Sequence, residues 1–216
     1  MLTREPLSEQ VKSHVRHQIV GGEYEPETKV GIAQVAEELG VSPTPVREAF
    51  AQLVSEGFLT LSPNRGFYVR PLDIEEVGGL LPILSTLEDL ALRTVPPVDA
   101  EQAATLRELN RQLLESVKHS AVRAMLVNQQ WHATLMERCG NRELQRVIAQ
   151  LRARTFRYEY IYYKFQQDDV EEQARQHDEI LTALERGDRR LAREVMSKHW
   201  DHNLQLMVPS GHENEG

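Results

Sequence analysis

The run from Ile32 to Val69 constrains this chain most. Ile32, Val35, Ala36 and Leu39 recur at helical spacing and stop at Gly40, and Val46, Phe50, Leu53 and Val54 mark a second helix almost at once. Only a tight turn separates them. The second of these helices is predicted to open with Ser42 as N-cap and Pro43 in the first helical position, where a missing N–H costs nothing. Pro45 is tolerated for the same reason. After Gly57 the pattern shortens to FLTL, SPNRG and FYVRP, which reads as two short strands joined by a turn.

Upstream, Leu7, Val11, Val15 and Ile19 predict an amphipathic helix stopped by Gly21-Gly22, and the segment EYEPETKV reads as a loop. Three helices and a β-hairpin are the parts of a winged helix-turn-helix, which is expected over residues 1–71. From Asp73 onward no strand pattern occurs. Helical repeats over about 73–94, 99–117, 120–139, 142–165, 169–186 and 188–207 are separated by PPVD, His119-Ser120, Gly140-Asn141, QQDD and Gly187-Asp188. The expected fold is mainly α, with the winged helix followed by a six-helix antiparallel bundle over 72–208 and a disordered tail, PSGHENEG, over 209–216. A length of 216 residues with 40% apolar and 27% charged side chains is ample for two such domains.

Composition narrows the function classes. No stretch has the roughly 18 consecutive apolar residues of a membrane span, and MLTREPLSEQ lacks the apolar core of a signal peptide, so no membrane partner and a cytoplasmic location are expected. The one cysteine, Cys139, falls in a helical pattern and reads as a small buried thiol. The net charge of −8, with 7 Lys/Arg against 9 Asp/Glu in residues 1–71, gives no bulk attraction to nucleic acid. DNA binding therefore has to rest on local placement.

The run IAQVAEELGVSPTPVREAFAQLVSEGFLTL followed by NRGFYV resembles the DNA-binding domain of the GntR family over about residues 7–70. The resemblance implies a double-stranded operator as partner and makes the helix from Ser42 the one that enters the major groove. Thr44 and Arg47 lie on its early turns, and Asn64, Arg65 and Gly66 lie in the wing beside the minor groove or its phosphates. Pro43 and Ala33 depart from residues common in relatives, so the operator sequence does not transfer. The bland reading of Arg47 is a surface pair with Glu48 or Glu56.

The later helices resemble the all-helical FCD effector domain of the FadR subfamily over roughly 73–207, with six helices matching its VanR-like branch. Asn128 and His132 in NQQWHATLMERCGN, His177 in RQHDEI and His199 in MSKHW fall where metal-binding members keep an Asp and three His. Residues four apart share a helix face, which lets Asn128 and His132 point at one centre. Three imidazoles suit zinc, nickel, iron or copper better than magnesium or calcium, with zinc or nickel preferred. Asn128 is a weaker ligand than a carboxylate, and His202 is a decoy three residues after His199. Arg152 and Arg154, on the helix that also carries Arg157, are the candidates to hold the carboxylate of a small organic acid. The tyrosines from 158 to 163 receive no role.

The reading that results is a transcription regulator, a repressor on family frequency, that binds a palindromic operator as a homodimer and responds to an organic acid. A metal-free sensor of an acyl or apolar effector is one alternative. A metal-dependent hydrolase is another, disfavoured because no H-E-x-x-H or similar motif occurs.

Overall fold

Val11, Val15 and Val20 form the inward face of α1 (Leu7–Gly21), which packs on α3 (Pro43–Ser55). The expected stripe drifts by one residue over its length: Leu7 is exposed and Val20, not Ile19, closes the buried row. A 3.6-residue turn produces that drift. The computed structural model describes residues 6–165 and 169–208, in two units divided between Leu72 and Asp73. The predicted tail, 209–216, lies outside the described residues.

In the first unit α2 (Ile32–Leu39) ends at Gly40, whose φ of 64° places it in the left-handed region that glycine enters without strain. Ser42 is the N-cap of α3, though its hydroxyl makes no capping bond. Strands β2 (Leu59–Ser62) and β3 (Gly66–Val69) pair antiparallel with Leu59 opposite Val69, and Asn64 turns between them at φ 63°. One expectation fails. The EYEPETKV loop contains a strand, β1 (Lys29–Val30), which pairs with β3 and gives the sheet order β1-β3-β2. Val30 is buried by that pairing. The unit's core is Val35, Val46, Phe50, Leu53, Phe58 and Val69, with Phe67 edge-on to Phe50 at 5.0 Å.

The second unit contains α4 (Ile74–Leu92), α5 (Ala100–Ser116), α6 (Ala121–Met136), α7 (Arg142–Phe165), α8 (Val170–Glu185) and α9 (Arg189–Met207). Side-chain caps set several starts: Asp73 accepts from Glu75 and Glu76 N–H, Asp99 from Gln102, Ser120 from Arg123 and Asp188 from Leu191. Helix α6 stops three residues before the expected limit. The side-chain amide of Gln145 donates to the carbonyls of Met136, Glu137 and Cys139, which satisfies groups the helix end leaves open. Cys139 is buried, with Thr94 Oγ1 at 3.5 Å.

Packing neighbours run α4–α9–α8–α5–α6–α7 and back to α4, a closed ring around one interior. Leu81, Leu84, Leu106, Trp131, Ile180, Met196 and Trp200 fill much of it. Each helix breaks its apolar stripe with buried polar residues, among them Glu88, Asn110, His132, Arg152, His177 and His199. Those six positions define the site.

Candidate metal centre and nucleic-acid interface

His132 on α6, His177 on α8 and His199 on α9 are fully buried, and one ring nitrogen of each lies within 4.8 Å of the others. Their ring centroids are 5.0–5.3 Å apart. Trp131 stacks on His177 with centroids 3.7 Å apart and planes 7° from parallel, which fixes that ring. His202 takes no part; it faces Asp169 at 2.7 Å and is part-exposed.

Amide oxygens orient two of the rings. Asn110 donates its Nδ2 to the Ala174 carbonyl at 2.8 Å, so its Oδ1, 3.1 Å from His177 Nδ1, is an acceptor there. Gln176 likewise donates Nε2 to Glu172 and turns Oε1 to His199 Nδ1 at 2.9 Å. Both histidines must then carry the proton on Nδ1 and keep a lone pair on Nε2. For His132, Glu88 Oε2 lies 3.2 Å from Nδ1, close enough for attraction but outside good hydrogen-bond angles. Burial, the largest cause in each case, holds all three imidazoles well below their ordinary pKa, so they are neutral near pH 7.

A buried polar atom without a partner costs free energy, so unpaired atoms mark what a site is built to meet. Among the described residues of the bundle those atoms are Asn128 Oδ1, both nitrogens of His132, His177 Nε2, Arg152 Nη1, Glu159 Oε2 and, apart from them, Gln102 Oε1. His199 Nε2 differs in accepting from Asn203 Nδ2 at 3.1 Å. The Asn203 oxygen in turn faces Gln173, which is bonded to Tyr163. Three neutral imidazoles with free or releasable lone pairs, and an unsatisfied amide oxygen one helical turn before His132, fit a transition-metal ion.

The two arginines separate. Residues two apart on a helix point about 200° from each other, so Arg152 and Arg154 cannot both face the centre. Arg152 is buried and donates Nε to Glu88 Oε1 at 2.8 Å, with Nη2 on the same oxygen, while its guanidinium lies 5.2 Å from the Trp200 ring centre. Arg154 is 39% exposed and pairs with Glu76 at 2.6 Å, where Tyr158 also donates. Glu88, fully buried, additionally accepts from Trp200 Nε1 at 3.0 Å. Glu88, Asn110, Gln176, Asn203 and Glu159 were absent from the sequence expectation. The signal that finds the first two is a polar residue in the apolar register of its helix, after Leu81 and Leu84 for Glu88 and after Ala103 and Leu106 for Asn110.

On α3, Val46, Ala49, Phe50 and Leu53 face the core, which leaves Ser42, Thr44 and Arg47 exposed. Arg47 has no ion pair or side-chain hydrogen bond among the described residues, and Glu56 is engaged by Lys12 at 3.2 Å. In the wing, Asn64 and Arg65 are exposed and Gly66 adopts φ 102°. Pro43 and Pro45 remove two amide donors from the first turn of α3, so contacts with phosphate there fall to side chains.

Residues 7–69 match the bacterial regulatory proteins of the gntR family, and residues 80–202 match the FCD domain. HTH-type transcriptional regulator YdhC of Bacillus subtilis is 24% identical over 97% of this chain and 96% of its own length. HTH-type transcriptional regulator McbR of Escherichia coli is 26% identical over 93% of this chain and 92% of its own. The solved structure of E. coli McbR/YncC superposes with a TM-score of 0.80 at 25% identity, covering 94% of this chain and 98% of that one. No helix among the described residues is long and apolar enough to cross a membrane. These relatives are transcription regulators, not enzymes. The chain belongs to the GntR family of DNA-binding transcription regulators, its helix-turn-helix followed by an FCD domain.

Proposed function

We propose that the chain is a homodimeric repressor in which residues 1–71 read an operator and residues 72–208 sense a small organic acid at a metal centre. Arg47, supported by Ser42 and Thr44, contacts bases and phosphates in the major groove, and Asn64, Arg65 and Gly66 hold the wing on the backbone. His132, His177 and His199 hold a divalent ion, zinc or nickel by donor type, with Asn128 as a fourth, weaker oxygen donor. Such an ion, when bound, supplies positive charge and open positions for an anionic ligand.

The observation that carries this reading is the orientation of the histidines. Amides that are themselves anchored hold Nδ1–H of His177 and His199, which points the remaining lone pairs inward. An ordinary packed core has no use for that arrangement. Asn203 has to release His199 Nε2 when an ion binds, because that nitrogen has one lone pair. Arg152 Nη1 offers a donor to the acid; Arg154, committed to Glu76, does not. The polar interior argues against an acyl effector.

A second copy is supported by the outer face of α4, where Gly79, Pro82, Ile83, Thr86 and Leu90 are exposed and none is charged. Ligand control follows if the acid favours one placement of the two DNA-reading units over another. Elemental analysis of protein purified without chelator tests the centre: close to one transition-metal ion per chain is expected, lost in His177→Ala. Protein that carries no metal and takes up neither added zinc nor nickel refutes it.

A further inference from the structure

The inward stripe of α7 is polar where a bundle helix is ordinarily apolar. Arg152, Thr155, Glu159 and Tyr163 follow one another at spacings of three and four residues, and every one is at most 5% exposed. Glu88 occupies the Nε and Nη2 of Arg152 and leaves Nη1 without a partner. Thr155 donates to Oε1 of Glu159 at 2.8 Å and the Gln129 side chain lies near enough to favour the carboxylate, but Oε2 makes no well-formed hydrogen bond among the described residues. Two turns of helix, roughly 10 Å along the axis, separate the residues that bear the unmet donor and the unmet acceptor.

Resting on the metal-and-acid reading above, we propose that Glu159 receives a hydrogen-bond donor of the effector, which makes the sensor's ligand a carboxylic acid that also carries a hydroxyl or ammonium group. The carboxylate end meets Arg152 Nη1 and the open side of the histidine cluster, and the O–H or N–H end meets Glu159 Oε2. A plain acid satisfies the arginine and strands the glutamate. The burial that raises the pKa of Glu159, against the opposing pull of Arg152, is the desolvation such a donor relieves. The stripe also reaches the centre: Tyr163 is hydrogen-bonded through Gln173 and Asn203 to His199, and Arg152 is bonded to Glu88, whose Oε2 lies 3.2 Å from His132 Nδ1.

The test uses two matched sets of acids, propionate, lactate and alanine, and succinate, malate and aspartate, titrated calorimetrically into the zinc-loaded full chain and its Glu159→Leu variant. Within a set the carbon skeleton is constant, so the sets separate hydroxyl from ammonium. The cost of leaving a buried acceptor unsatisfied predicts a preference of roughly 10- to 100-fold for a donor-bearing member over the plain acid. Glu159→Leu should erase that preference and leave the plain acid within about threefold. Absence of a preference in the wild type, or its survival in Glu159→Leu, overturns the role of Glu159 while sparing the centre. Zinc-loaded protein that binds none of the six acids fails the underlying reading and the inference with it. Should Glu159→Leu not fold, Glu159→Gln, of equal size, supplies the comparison, with at least a tenfold loss of preference expected.

Discussion

Glu88→Gln is the sharpest single perturbation of this bundle. The substitution keeps the shape and one acceptor oxygen for Trp200 but removes the only carboxylate bonded to the Arg152 guanidinium among the described residues. Breaking a buried ion pair on one side costs about 3–5 kcal/mol, because the surviving charge stays desolvated. At roughly 2–4 °C per kcal/mol for a chain of this size, the melting temperature should fall by about 6–20 °C. Removing both partners, as in Glu88→Leu with Arg152→Met, leaves no stranded charge and should recover most of the loss, so the double-mutant cycle should show several kcal/mol of coupling. Glu88 also sits 3.2 Å from His132 Nδ1, so zinc affinity of Glu88→Gln should drop about 10- to 100-fold even where the protein is folded. Calorimetric melting of metal-free protein reads the first effect and zinc titration the second. A Glu88→Gln protein melting within 2 °C of wild type, or a cycle that is additive, refutes the pair as the strut between α4 and α7.

Three further outcomes follow from the same geometry. Arg47→Ala should weaken operator binding by about 1–3 kcal/mol in a gel shift while the melting temperature holds, since the side chain is exposed and unpaired; unchanged affinity removes it from the interface. Ile83→Glu places a charge in the uncharged outer stripe of α4 and should convert dimer to monomer in sedimentation at micromolar concentration; an intact dimer moves the interface elsewhere. In metal-stripped protein the three buried histidines stay neutral below their unfolded pKa of about 6.5, so the unfolded chain binds the extra protons and stability falls as pH drops from there. The slope approaches about 4 kcal/mol per pH unit when all three contribute, and a denaturation midpoint flat between pH 6.5 and 5 contradicts it.

Most of the helices were legible in the sequence because each carries its own apolar period and its own punctuation, Gly40 after α2 and Asp99, Ser120 and Asp188 before later helices. Strand β1 was not, because two residues have no period; Val30 becomes a strand only by meeting Phe67, far along the chain. The same distinction divides the site. His132, His177 and His199 were found through a family resemblance, since spacings of 45 and 22 residues say nothing about proximity without the ring of helices that brings them together. Glu88 was hidden beside Asp89. One of the pair turns inward to Arg152 and the other outward to Arg193, and only the phase set by Leu81 and Leu84 decides which. The arginine pair divides for a related reason: one helix offers two candidates, but positions two apart on it do not share a face.

In the proposed sensor Asn128 would tie the charge of the centre to the charge of its ligand. Three neutral imidazoles and a neutral amide bring no negative charge, and the nearby carboxylate of Glu88 is already balanced by Arg152. A divalent ion held there would keep its full charge unless an anion arrived from outside, which is why the proposed sensor calls for an acidic ligand. A carboxylate at position 128 would supply that anion internally. Both effects of such a change run through the same free energy: the ion would be held more firmly, and the acid would gain less by joining it. In the proposed sensor the unpartnered Oδ1 of Asn128, one helical turn before His132, is thus the position where metal affinity would be traded for sensitivity to an anion.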